Sequence, residues 1–87
     1  MNDDIDPALV AVLAQLWRAK QETPARAWSL PKLAKQSALP MSALRRQLTA
    51  LADAGLAEVR VSEQGAGSAW LTGEGESLCS AIFGADE

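Results

Sequence analysis

SLPKLAKQSALPMSALRRQLTALADAGL, residues 29–56, decides the fold. Ser29 carries a hydroxyl suited to accept an orphan N–H at a helix start, and Pro31 is tolerated in a first turn. The spacing therefore predicts a helix over Leu30–Ser37, with Leu30, Leu33 and Ala34 facing inward and Lys32, Lys35 and Gln36 facing out. Ala38-Leu39-Pro40 reads as a tight turn. A second helix then starts near Met41 and runs to residue 54, where Gly55 suits the left-handed position that ends a helix. Leu44, Leu48 and Leu51 line one side of it. Ser42, Arg46, Thr49 and Asp53 fall on the opposite side, with Arg45 and Ala43 on the two flanks. Two short helices joined by a tight turn, one with a leucine seam and a polar outer face, are the centre of the molecule.

Upstream, Asp6-Pro7 opens another helix: Asp6 is an N-cap and Pro7 at the first position loses no hydrogen bond. Leu9, Val10, Val12, Leu13, Leu16 and Trp17 follow at helical spacing. Their stripe is wider than one small core needs, so part of it is available to a second chain. Lys20–Ala27, with Thr23-Pro24, reads as a loop. Downstream, Leu56–Ser62 alternates as a strand, with Ala57, Val59 and Val61 on one face and Glu58, Arg60 and Ser62 on the other. Gly65-Ala66-Gly67 makes a hairpin tip, and Ser68–Leu71 returns as the second strand. Thr72 caps a last helix whose first turn holds Glu74 and Glu76, the sign favoured there. Leu78, Ile82 and Phe83 form its apolar side. The reading is mainly α with a small β-hairpin, an α+β arrangement of three core helices, a two-stranded hairpin and a C-terminal helix. Residues 1–87 are expected to form one domain, with residues 1–5 a disordered tail.

Composition narrows the function classes. The 87 residues include no histidine and one cysteine, Cys79, which leaves neither a Ser-His-Asp or Cys-His arrangement nor the usual zinc ligand sets. No GxxxxGK[ST] phosphate loop occurs, and the Gly65-Ala66-Gly67 and Gly73-Glu74-Gly75 runs do not link a strand to a helix within a βαβ unit, so neither is a dinucleotide fingerprint. Neither an enzyme nor a cofactor is expected. Cys79, beside the apolar stripe of the last helix, reads as a buried, inert thiol. The acidic start lacks a signal-peptide pattern, no apolar run spans a bilayer, and single-cysteine usage suits a reducing cytoplasm; a cytoplasmic protein without membrane association is expected.

The net charge of −3 and pI of about 4.8 conceal a segregation. Residues 28–60 hold Lys32, Lys35, Arg45, Arg46 and Arg60 against Asp53 and Glu58. Residues 61–87 hold Glu63, Glu74, Glu76, Asp86 and Glu87 and no base. The positive part coincides with the two-helix segment.

From Leu33 to Gly75 the chain resembles the winged helix-turn-helix of MarR-like and ArsR-like bacterial regulators. The resemblance is carried by Leu33-Ala34, by Ala38-Leu39 in the turn, by Leu44, Leu48 and Leu51, by Gly55-Leu56, and by Leu71-Thr72 with Gly75. It places the helix-turn-helix at 29–54 and the wing at 56–72. Three departures stand out: Ala38 occupies a turn position where glycine is usual, at a cost of about 1 kcal/mol if φ is positive, the wing from Val61 to Ser68 carries no Lys or Arg, and the overall pI is low.

The resemblance implies a sequence-specific regulator of transcription, with the helix of residues 41–54 in the major groove of double-stranded DNA. Its reading face would be Ser42, Ala43, Arg45, Arg46 and Thr49, since arginine pairs bidentately with guanine and hydroxyls bond phosphate or base edges. Lys32 and Lys35 would contact the backbone. Arg60 would reach phosphate from the wing, pair with Glu58 or stack on Trp70. A homodimer is expected, because a chain this short buries only roughly 60–65% of its unfolded surface; Leu9, Val10, Leu13, Trp17, Ile82 and Phe83 would supply the contact. Trp28 is expected to pin the segment before its helix against the wing, and Trp70 to be partly exposed. The low pI and the base-free wing keep a second reading open: a winged-helix module that binds protein and not DNA. The sequence specifies no small-molecule effector.

Overall fold

The computed structural model describes residues 6–23, 25–61 and 67–84. Helix α1 spans Pro7–Glu22, strand β1 Trp28–Ser29, helix α2 Leu30–Ser37, helix α3 Met41–Asp53, strand β2 Ala57–Val61, strand β3 Gly67–Leu71 and helix α4 Gly73–Phe83. The three strands form one antiparallel sheet in the order β1-β3-β2. The expected tail at residues 1–5, Pro24, Ser62 and most of the expected hairpin tip (Gly65-Ala66) lie outside the described residues.

Each helix starts and stops for a local reason. Asp6 accepts the Ala8 N–H at 2.9 Å and caps α1. Ser29 accepts the Lys32 N–H at 3.2 Å and caps α2. Thr72 accepts the Gly75 N–H at 3.1 Å and caps α4. Ala38, at φ 59°, ends α2 in the left-handed region, and Leu39 N–H donates back to the Ala34 carbonyl at 3.0 Å. Gly55, at φ 78°, does the same for α3, where Gly55 N–H donates to the Ala52 carbonyl at 3.0 Å and Leu56 N–H to that of Leu51 at 2.9 Å. This double bond pattern satisfies the last carbonyls and turns the chain into the wing.

Two elements differ from the expectation. Helix α1 continues through Lys20–Glu22, which the sequence placed in a loop. The added turn is held by an Arg18–Glu22 ion pair four residues apart, by Lys20–Glu76 at 2.8 Å across to α4, and by Thr23, whose N–H donates back to the Ala19 carbonyl at 2.8 Å. The hairpin is also joined by a third strand: Trp28 and Ser29 pair with Ala69 and Ser68 of β3. Two residues are too few to show an alternation pattern.

The core is one cluster. Val12, Leu13 and Leu16 of α1 meet Leu33 and Ala34 of α2, Leu44, Leu48 and Leu51 of α3, Ala69 and Leu71 of β3, and Cys79 of α4. Beta strand β2 outruns this core: Ala57 is buried, but Val59 and Val61, on the same face, are 38% and 56% exposed. Burial pushes the Cys79 thiol up from 9.0 to about 11, so it stays protonated at neutral pH. No described helix is long and apolar enough to cross a membrane.

Candidate nucleic-acid interface

Helix α3 is clamped on one side and bare on the other. Leu44, Leu48 and Leu51 are at most 2% exposed and fix the helix against α1 and α2. Gln47, which the sequence pattern did not single out, is also buried; its amide donates to the Asp6 carboxylate at 3.1 Å and ties α3 to the start of α1. These partners are 41 residues apart, so no local pattern could reveal them.

On the outer side, Ser42, Arg45, Arg46, Thr49 and Asp53 are exposed and Ala43 is half-buried. Arg45 and Arg46 pair with no carboxylate among the described residues; the ion pairs there are Arg18–Glu22 and Lys20–Glu76, both away from α3. Asp53 forms no ion pair with either guanidinium. The helix presents two forked guanidinium donors without an ion-pair partner among the described residues, two hydroxyls and a methyl.

Around that face two of the other cations, Lys32 and Arg60, lie over aromatic rings. Lys32 and Lys35 are exposed on α2. The Lys32 ammonium lies 4.3 Å from the centroid of the Trp28 ring. Arg60 lies on the exposed part of β2, its guanidinium 5.7 Å from the Trp70 centroid. Of the three roles open to Arg60, stacking on Trp70 is the one present; it makes no ion pair with Glu58 among the described residues. Trp70 is partly exposed and Trp28 is buried against β3, both as expected.

Two concavities flank these groups. One, of about 260 Å³, lies between α3 and β2 and is lined by Leu30, Leu48, Ala52, Val59 and Val61 with Arg45, Thr49 and Asp53 at its edge. The other, of about 330 Å³, lies between the end of α1, β3 and α4, with Arg26, Arg60 and Trp70 in its wall.

The residues expected at a subunit contact are not equivalent. Ile82 is 52% exposed, while Leu9, Val10, Trp17 and Phe83 are half-buried. Leu13 is 4% exposed, so its surface is already covered inside the protomer.

No family model matches the chain, and no curated protein matches it in sequence. Among solved structures, the chain is similar to a candidate DNA-binding protein of Ralstonia eutropha JMP134. The identity is 54% and the TM-score 0.86, and the match covers 91% of this chain and 98% of that one. It is also similar to MepR, a transcription regulator of the Staphylococcus aureus multidrug efflux pump MepA, at 21% identity and a TM-score of 0.74 over 93% of this chain and 57% of that chain. A third likeness, at 18% identity and a TM-score of 0.64, is to Streptococcus pneumoniae FabT in complex with DNA, over 94% of this chain and 57% of that chain. The last two are likenesses of fold.

Proposed function

Because the chain belongs to the winged helix-turn-helix DNA-binding proteins, we propose that it is a sequence-specific transcription regulator that inserts α3 into the major groove of double-stranded DNA as a homodimer. The observation that carries this reading is the outer face of α3. Arg45 and Arg46 are exposed and free of carboxylate partners among the described residues, on a helix fixed by a buried leucine seam. In this reading Arg45 and Arg46 pair with guanine, Ser42 and Thr49 bond base edges or phosphate, and Ala43 packs on a thymine methyl. Lys32 and Lys35 contact phosphates and set the register. Arg60 contacts phosphate from the base of the wing.

Dimerisation uses the outward parts of α1 and α4, with Leu9, Val10, Trp17, Ile82 and Phe83 as contacts. It would set the two reading helices one DNA turn, about 34 Å, apart. The likeness to MepR favours the MarR-like arrangement. In the same reading residues 1–87 act as one domain, in the cytoplasm.

Selection of bound duplexes from a random pool tests the reading. A recovered motif with two half-sites, lost when Arg45→Ala and Arg46→Ala are combined, supports it. Recovery without sequence enrichment, or a motif unchanged in the double variant, contradicts it.

One observation favours the protein-binding alternative: Val59 and Val61 expose an apolar edge beside α3. Capture of a defined protein on that edge, with no duplex binding even at about 50 mM salt, would establish that reading in place of the first.

A further inference from the structure

Lys32 sits where helix electrostatics disfavours it. It is the third residue of α2, at the positive end of the helix dipole, and α2 has no acidic residue in its first turn. Lys35, in the last turn of the same helix, is on the favourable end. Among the described residues no carboxylate pairs with Lys32. What faces its ammonium is the Trp28 ring, 4.3 Å from the centroid.

That ring is fixed from several directions. Trp28 is 5% exposed and pairs through its backbone with Ala69 of β3. Its indole N–H donates to the Thr23 hydroxyl at 3.1 Å, which lies 3.1 Å from both the Ala19 and Arg26 carbonyls. The indole is therefore a rigid platform joining α1, α2 and the wing sheet, and the lysine is the movable partner. An ammonium seated on a ring face keeps N–H donors that point away from the ring, and its stem loses rotamer freedom before any ligand arrives.

We propose that Trp28 is a positioning residue for DNA contact: its ring holds the Lys32 ammonium, against the dipole of α2, preorganised for a backbone phosphate. This rests on the DNA reading above. The seating offsets the unfavourable place of the charge and lowers the ordering entropy of the contact.

The test has two arms. Without DNA, carbon-detected spectra of lysine-labelled protein should show the Lys32 ε-methylene shifted upfield by the ring. The shift should persist in Trp28→Phe and vanish in Trp28→Leu. A Lys32 ε-methylene at the position of a free lysine overturns the proposal. With DNA, the probe is a fluorescein-labelled random-sequence duplex, because phosphate contacts carry no sequence information. Lys32→Gln and Trp28→Leu should each weaken binding about three- to fivefold, as expected for one seated cation. The double variant should be no weaker than Lys32→Gln alone, and Trp28→Phe should stay within about twofold of the parent. A ring with only a structural role predicts otherwise: the two losses multiply, and that result overturns the proposal. If Trp28→Leu does not fold, Trp28→Phe and Lys32→Gln decide alone: binding unchanged by Lys32→Gln, or as weak in Trp28→Phe as in Lys32→Gln, overturns it. If the parent chain binds no duplex, the DNA reading itself fails and takes this inference with it. If the parent binds and only the cycle is additive, the inference fails alone.

Discussion

Gly75 and Ala38 show how single positions carry strain of opposite kinds. A Cβ at Gly75 would overlap the Leu56 carbonyl oxygen. That carbonyl cannot move aside, because it accepts the Thr72 N–H at 3.0 Å where the wing closes onto α4. Gly75→Ala should therefore cost about 3 kcal/mol, measured by urea unfolding. Ala38 lies at φ 59°, a conformation that costs an L-residue about 1–2 kcal/mol. Ala38→Gly should relieve that strain, less the extra freedom glycine gains in the unfolded chain, and raise stability by about 0.5–1 kcal/mol in the same assay. Ala38 and Gly55 were legible in the sequence because turn chemistry is local. The spacing of Gly75 after Thr72 was legible too, but its reason was not, since the atom it avoids belongs to the other end of the wing. Lys32 on Trp28 and Gln47 on Asp6 were illegible for the same reason: both pairings depend on where distant elements meet.

At the scale of elements, caps, leucine spacing and the Gly55 stop made α2 and α3 readable almost to their ends, and the Thr72 cap made the start of α4 readable. Thr72 serves twice, accepting the Gly75 N–H at 3.1 Å and donating to the Gly55 carbonyl at 2.6 Å. It thus joins the start of α4 to the end of α3. Thr72→Ala should lower stability by about 1–2 kcal/mol, at the upper end for a helix cap, while Thr72→Ser should recover most of it; thermal unfolding of the two variants checks this. The misplaced end of α1 has a tertiary cause. Lys20–Glu22 carries no apolar periodicity, and its helical turn is secured partly by Glu76 on α4. Strand β1 exists because Trp28 is drawn into the core beside β3, an arrangement that two residues cannot announce. The alternation of β2 was read correctly, but alternation reports which side chains share a face and not whether anything covers it, so the exposure of Val59 and Val61 emerged only from the packing.

For the whole molecule, the distribution of charge matters more than its sum. A net charge of −3 argues against phosphate contact, yet five of the eight basic residues lie between residues 28 and 60, and of the acidic groups of α4, Glu76 pairs with Lys20 of α1. The order of elements and the outward face of α3 were legible because both follow from periodicity and from the joint spacing of small residues and leucines. Which surface meets a second copy was less so: the stripe on α1 named Leu13, which the protomer buries, together with residues it leaves available. The most direct measurement is the salt dependence of affinity for a selected duplex, compared between the parent chain and the combined Arg45→Ala, Arg46→Ala variant. The account predicts a linear fall of log K with log salt whose slope reflects several phosphate contacts per dimer, and a variant that loses the selected duplex while keeping a weak, salt-sensitive attraction through Lys32, Lys35 and Arg60. Equal affinity of the two proteins for the selected duplex at every salt concentration would contradict it.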